Sequence, residues 1–432
     1  MADASQLFLE NRKFLRFVSF FILYFGQGTL VGFFFFVLPS WQTVNGASTA
    51  DVGIVLAAAG LPWAFKIVGG ILVDRFTYPA MGRRRPWLLG AQSLIILCLL
   101  SVAFISPAPR DTSILIAFAL ALNLLVGLQD VATDALAVDL VPDTERGVVN
   151  GFMLGGQAIG AALSIALTGF IAANYGIASA MIALAAVTTL VCLTTFMIRE
   201  RQGDRLLPWT RGTAALQAKR ETQSSWLLVR TVVKTLRGRD NILLLIAAVL
   251  MGATGGLFRG VAPIFTSDVL GWSGDEFTRL ASEAALIAGI LSLILFGFFT
   301  QLVGPKRVMI GTFMAVGILS LLPLAFDGQF ADASVFSPFF LTFTAVKMLG
   351  TIAWASIAMR LCPPGTEATQ FAVYMAAASL GLAIGPALLA PLEAIAGFSA
   401  IFAMMAVVNF CAAVLVIMSR FQSTSREFAR TG

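Results

Sequence analysis

The sequence predicts an all-α polytopic membrane protein, with twelve transmembrane helices forming two pseudo-symmetric six-helix bundles. Three observations carry this reading. Of the 432 residues, 58% are hydrophobic and only 12% charged. A soluble globular chain has about 25% charged residues, so this chain has too little polar surface to cover itself in water. Twelve stretches are long and apolar enough to cross the hydrocarbon layer, which takes about 20 residues of helix. The basic residues, finally, gather in alternate connections between those stretches.

The stretches lie at 16–38, 51–73, 87–106, 113–136, 147–172, 176–198, 241–266, 280–302, 307–326, 336–360, 367–388 and 395–419. A polar segment, Met1 to Arg16, precedes the first; it has no small-residue cleavage site behind a short apolar core, so the first run reads as a retained helix and not a signal peptide. Turn signals separate the later runs, among them Ser106-Pro107-Ala108-Pro109, Gly304-Pro305 and Pro363-Pro364-Gly365. The phenylalanine run 33–36 is expected to be lipid-facing or packing bulk. With the N-terminus in the cytoplasm, 24 of the 29 lysines and arginines fall on that side and only Arg110 and Arg279 on the other; Lys66, Arg259 and Lys347 lie inside spans. This is a positive-inside distribution. It places both termini in the cytoplasm and the chain in the inner (plasma) membrane, and it accounts for the net charge of +6 without a nucleic-acid partner.

One long polar stretch, 199–240, carries ten basic and four acidic residues. It reads as a cytoplasmic linker between an N-terminal bundle, 1–198, and a C-terminal bundle with a short cytoplasmic tail, 241–432. Two echoes relate the halves. Ala158-Ile159-Gly160-Ala161-Ala162-Leu163 returns as Ala383-Ile384-Gly385-Pro386-Ala387-Leu388. Gly70…Asp74…Gly82-Arg83-Arg84-Arg85 returns as Gly297…Gln301…Gly304-Pro305-Lys306-Arg307. Both displacements are near ~225 residues, as a duplicated six-helix unit requires.

The stretch Gly70-Ile71-Leu72-Val73-Asp74-Arg75 with Gly82-Arg83-Arg84-Arg85 resembles the signature between helices 2 and 3 of the major facilitator superfamily. The resemblance implies that Asp74 meets a helix N-terminus, where a carboxylate suits the helix dipole, and that Arg75, Arg83 and Arg84 belong to the same conformational gate. Two longer segments are similar to one branch, the AmpG-type muropeptide permeases and acetyl-CoA transporters. They are Phe65-Lys66…Asp74-Arg75…Gly82-Arg83-Arg84-Arg85-Pro86-Trp87-Leu88-Leu89…Gln92 and Gln129-Asp130…Asp134-Ala135…Asp139…Pro142…Glu145-Arg146-Gly147. Siderophore importers of the RhtX/FptX kind look similar in the second segment. Where the muropeptide group has Trp and Pro, this chain has Gly69 and Ile71. The branch implies a transported solute that is muropeptide-, siderophore- or acyl-CoA-like.

Ionisable residues inside spans are costly and mark function by default. Lys66 lies eight residues before Asp74, about 12 Å of helical rise, and Asp130 lies at a similar depth, so the two can pair. Asn123, Gly127, Asp130 and Asp134 form one stripe on a helix face. That stripe is either a proton-titrated or substrate-linked cluster or a structural pair fixing two helices. Glu145 and Arg146 read as clamps of the adjoining cytoplasmic loop. Lys347 falls in the middle of its span, on one face with Thr344, Thr351 and Trp354; such a lysine suits a carboxylate or phosphate of a substrate, the alternative being a buried ion-pair partner. Arg259 and Glu283 are expected to pair, either as an outer gate or as a structural pair alone. Tyr24 and Gln27, Gln157, and Tyr374 are binding groups or interhelical glue. The ladder Gly147, Gly151, Gly155, with Gly156 and Gly160, lets its helix approach a neighbour closely.

No Walker-type phosphate loop is present, so ATP is not the indicated energy source, and no nucleophile–base arrangement suggests an enzyme. There is no histidine, so a coupling proton must ride on a carboxylate: Asp130, Asp134 or Glu283. The expectation is a monomeric, proton-coupled importer of a bulky polar or anionic metabolite, working by alternating access in the lipid bilayer, with no cofactor and no metal. An exchanger or exporter of the same fold, or a non-transporting assembly factor, are the alternatives.

Overall fold

A computed structural model describes residues 7–212 and 225–421. The first six residues, the middle of the expected linker and the C-terminal tail beyond 421 lie outside the described residues. Twelve helices among the described residues are long and apolar enough to span a membrane. They are α1 (Lys13–Val44), α2 (Ala50–Arg75), α3 (Arg85–Ile105), α4 (Thr112–Leu140), α5 (Arg146–Tyr175), α6 (Ile177–Met197), α8 (Arg239–Asp268), α9 (Glu276–Val303), α10 (Pro305–Ala325), α11 (Ala333–Leu361), α12 (Glu367–Ala387) and α13 (Leu389–Met418). A shorter helix, α7 (Ser225–Leu236), precedes α8.

Four spans are interrupted where the sequence gives no apolar warning, one of them α9, by a π-helical turn at Ser292–Phe296. In α1 the segment Phe33–Val37 takes a π-helical turn, which rotates the phenylalanine run: Phe33 and Phe34 are buried while Phe36 is 51% exposed. The run therefore serves both of its expected roles at once. In α2 the helical path breaks at Phe65 (φ −92°, ψ 9°), shortly after Pro62, whose ring removes one backbone donor. In α13 the backbone leaves helical geometry at Ala396 and Gly397 (φ 59°), so the span proper begins after that break.

The described chain forms two compact units. One comprises Met1–Pro142, Phe152–Val229 and Pro364–Ala372; the other comprises Asp143–Gly151, Arg230–Pro363 and Val373–Gly432. Each takes in the start of one helix from the other half of the sequence, α12 in the first unit and α5 in the second. The first unit has a core around Leu30, Phe33, Ile95, Phe118, Leu122 and Leu184. The second is built on stacked phenylalanines, with Phe258 and Phe343 ring centroids 3.8 Å apart.

The sequence echoes reappear as repeated packing. Gly160 of α5 lies against the Phe25 carbonyl of α1, and Gly385 of α12 lies against the Ala253 carbonyl of α8. A Cβ at either position would overlap backbone atoms, so in both units a glycine is what allows two helices to touch main chain to main chain. The lower part of the same ladder behaves differently: Gly147 and Gly151 pack on α9, against Gly297 and the Ser292 carbonyl.

The segment after α6 is bound chain at its start. The Arg199 N–H donates to the Leu7 carbonyl (2.8 Å), Leu9 N–H to the Arg199 carbonyl (2.9 Å) and Glu10 N–H to the Glu200 carbonyl (3.1 Å). Arg16 holds the N-terminal segment in place through the Leu9 and Glu10 carbonyls, at 2.7 and 2.6 Å.

Candidate functional site

In the first unit α1, α2 and α4 bring seven polar or aromatic side chains together. The Lys66 ammonium and the Asp130 carboxylate form an ion pair, both buried. Gln27 donates to the same carboxylate at 2.5 Å. The Tyr24 hydroxyl donates to Asp134, one helical turn beyond Asp130. Lys66 also sits over the Trp63 ring, 4.7 Å from its centroid, and the Trp63 indole N–H donates to Asn123 at 3.2 Å. The three polar members of the α4 stripe, Asn123, Asp130 and Asp134, are thus matched by donors from α1 and α2. Asp130 is neutralised by a cation. Asp134, 3% exposed, has a neutral hydroxyl and no ion pair among the described residues.

Where α2 ends, Asp74 is the charged cap of α12. Its Oδ2 accepts from the Thr369 N–H (2.8 Å) and hydroxyl (2.7 Å), and its Oδ1 from the Ala368 N–H (3.2 Å). These are first-turn donors with no partner inside the helix, and a carboxylate there also meets the positive end of the dipole. Arg84 donates to Asp74 (2.7 Å), to the Val73 carbonyl (2.9 Å) and to Glu367 (3.0 Å). Burial works against the Arg84 charge, but Asp74, Glu367 and Asp139 outweigh it and raise its pKa above the ordinary guanidinium value. Arg83 reaches Glu367 (3.4 Å) and Asp139 (3.7 Å), and Arg201 also holds Asp139 (2.9 Å). Arg85 binds the Thr195 and Phe196 carbonyls at the end of α6 (3.1 and 2.7 Å). Arg75 lies outside this network, over the Phe76 ring at 5.5 Å.

Glu200 organises the three arginines from behind. Its carboxylate accepts the N–H groups of Arg83 (2.8 Å), Arg84 (2.6 Å) and Arg85 (2.6 Å), the orphan donors at the start of α3. Gly82 (φ 101°) turns the chain around that carboxylate, and a Cβ there would collide with it.

The second unit holds the counterpart. Gln301 accepts the Gly147 N–H at the start of α5 (3.1 Å), where Asp74 serves α12. Lys306 donates to the Ile417 and Ser419 carbonyls at the end of α13 (3.2 and 2.6 Å), where Arg85 serves α6. Arg146 pairs with Asp143 (2.8 Å), and Arg360 reaches the same carboxylate (3.6 Å); Glu145 is buried beside them in sequence.

Lys347 faces a small cavity inside the second unit, lined by Met251, Thr254, Thr312, Phe313, Gly350 and Asn409, among others. Gly255 leaves room for its ammonium. Among the described residues it has no hydrogen bond or ion pair, and the charged group that acts on it is another cation, Arg259. Thr344 is half-buried; Thr351 is half-buried too and spends its hydroxyl on the Lys347 carbonyl (3.0 Å). Trp354 is buried, with an indole N–H that meets no acceptor among the described residues. The threonines that line this cavity with the lysine are Thr254 and Thr312, on other helices.

The expected Arg259–Glu283 pair does not form. Glu283 pairs with Arg279 four residues earlier, at 3.0 Å on an exposed face. A partner at i−4 is always in reach on a helix, whereas one on a neighbouring helix needs the right rotation as well as the right depth. Tyr374 is fully buried and donates to Asn241. Gln157 is half-buried and meets Gly28 through its backbone.

With these arrangements in view, the sequence profile of the Major Facilitator Superfamily matches residues 17–293 and 244–429. The chain belongs to the Major Facilitator Superfamily. It is a multi-pass membrane transporter of small solutes and not an enzyme. The anhydromuropeptide permease of Escherichia coli (strain K12) is 24% identical over 378 residues, covering 84% of this chain and 72% of that one. The putative transporter AmpG 4 of Rickettsia felis is 24% identical over 380 residues, covering 85% and 87%. The branch that the sequence resembles is thus the branch of its relatives. Among solved structures, the superfamily transporter FucP in its outward conformation superposes with a TM-score of 0.71, at 13% identity, over 93% of this chain and 97% of that one; this likeness concerns the fold.

Several participants carry little signal of their role in the sequence, Arg201 among them. Trp63 is three residues before Lys66 and shares its face, a spacing that could have revealed it. Glu367 sits in the first turn of α12, where acids are common. Gln301 is visible only through the echo of Asp74. Glu200 binds backbone N–H groups, which leave no mark on residue identity.

Proposed function

We propose that this superfamily member is a proton-coupled importer of a bulky anionic metabolite of the muropeptide kind. It works by alternating access, as a monomer in the inner membrane with both termini in the cytoplasm. The observation that carries the reading is the α4 pair: two buried carboxylates one turn apart, of which only Asp130 is paired with a cation among the described residues. With both ionised, one buried charge would stand uncompensated, at a cost of several kcal/mol; a proton on Asp134 removes it. Asp130 is held by Lys66 and Gln27 and is the fixed member. Asp134, bound among the described residues by Tyr24, is the member that loads and unloads.

The second unit supports the anionic substrate. Lys347 and Arg259 have no carboxylate among the described residues, and a cation inside a span calls for an anion. A muropeptide carries carboxylates that suit this role, and the similarity to the Escherichia coli permease favours that class. The Asp74 and Arg84 network is the cytoplasmic gate, and the inward proton gradient gives the direction.

The test is uptake of labelled anhydromuropeptide into proteoliposomes with an imposed pH gradient, acidic outside. Accumulation above equilibrium, abolished by a protonophore, is the expected result. Equilibration that ignores the pH gradient and rises with unlabelled solute inside would instead mark an exchanger.

A further inference from the structure

α7 presents a face that nothing else in the described chain covers. Around its axis the apolar residues Leu228, Val232, Leu236, Val229, Val233 and Trp226 occupy one continuous arc at 100° per residue; Leu227, 46% exposed, stands apart from it beyond the basic residues. The protein covers only one side of that arc: Leu228 and Val232 are 1% and 4% exposed, while Val233 is 44% and Trp226 75% exposed. The uncovered side is bordered by Arg230, Lys234 and Arg237, all exposed. From Ser225 to Arg239 there are four basic residues and no acidic one. Gly238 then caps α8, a spanning helix that begins at Arg239. The face therefore lies within a few residues of the point where the chain enters the bilayer.

We propose that α7 lies in the headgroup layer and binds anionic phospholipid. An exposed tryptophan beside a valine, flanked by cations and joined to a span, matches what an interfacial helix needs: an apolar edge for the acyl boundary and cations for phosphate. Each cation near an anionic surface adds to the attraction, and within Ser225–Arg239 the charge is all of one sign. Neutral lipid satisfies the apolar edge but not the three cations. A second protein copy would have to supply an acidic face opposite them.

The experiment is quenching of tryptophan fluorescence in the full-length protein, reconstituted with dibrominated phosphatidylglycerol or dibrominated phosphatidylcholine. The contribution of Trp226 is the difference between wild type and Trp226→Phe, an exposed substitution that leaves the fold intact. Trp226 is expected to be quenched several-fold more by the brominated anionic lipid. The excess should vanish in the triple variant Arg230→Gln, Lys234→Gln, Arg237→Gln, and wild type against Trp226→Phe decides the matter even if that variant does not fold. Equal quenching by the two lipids overturns the anionic preference. Quenching by acrylamide in place of lipid puts the helix off the bilayer, and protection from both quenchers means that another copy of the protein covers it; either result overturns the proposal.

Discussion

Lys66 and Asp130 join α2 to α4 in a buried ion pair, and Asp134, one turn along, is left to a tyrosine hydroxyl. The two carboxylates therefore differ in kind. Removing Asp130 strands a buried ammonium, a loss of about 3–5 kcal/mol, so Asp130→Asn should lower the melting temperature of the purified protein markedly. The double variant Lys66→Met, Asp130→Asn should recover most of it. A double variant as unstable as the single one would mean that the pair does not hold these helices together.

Glu200→Gln should weaken the start of α3. Three N–H groups lose an ionised acceptor, and a hydrogen bond to a charged group contributes about 1.5–3 kcal/mol. Thermal unfolding should shift down, whereas Glu283→Gln on the exposed face of α9 should leave it unchanged. An unshifted Glu200→Gln protein would show that the capping is incidental.

Asp74→Ala removes the cap of α12, worth about 1–2 kcal/mol for a helix end, and unpairs Arg84. Maleimide labelling of cysteines placed at Val149 and Met153 of α5 from the cytoplasmic side should rise if Asp74 holds a closed state; unchanged labelling at both would remove it from the gate. The Arg84 share of this network should be independent of pH. Its folded-state pKa is raised, so its stabilisation is complete below the ordinary arginine value and is lost only as pH climbs through the raised one. Labelling should accordingly be flat from about pH 6 to 10 as far as Arg84 decides it.

Lys347→Gln should weaken apparent substrate affinity by about 1.5–3 kcal/mol, roughly ten- to a hundredfold, with an unchanged melting temperature, since no protein group loses a partner. Lys347→Arg should keep the charge but crowd Gly255 and Thr312. Wild-type affinity in Lys347→Gln would make the lysine structural and end the inference of an anionic substrate.

What was legible in the sequence follows from what a helix repeats. Twenty-residue apolar runs show the spans because lipid leaves the backbone no alternative. The α4 stripe was readable because residues at 0, 4, 7 and 11 share a face, and Lys66 with Asp130 because rise per residue gives depth. Rise does not give rotation, which is why Arg259 and Glu283 were matched and yet do not meet. The Phe65 break and the π turn at Phe33 are backbone adjustments inside runs that read as uniformly apolar. Glu200 was silent because its partners are main-chain groups.

The central claim, that Asp134 carries the coupling proton, is tested most directly by Asp134→Asn in proteoliposomes, measuring pH-driven accumulation and counterflow side by side. The expected result is loss of accumulation with exchange retained, because the neutral asparagine still accepts from Tyr24 but cannot release a proton. Normal accumulation by Asp134→Asn would contradict it.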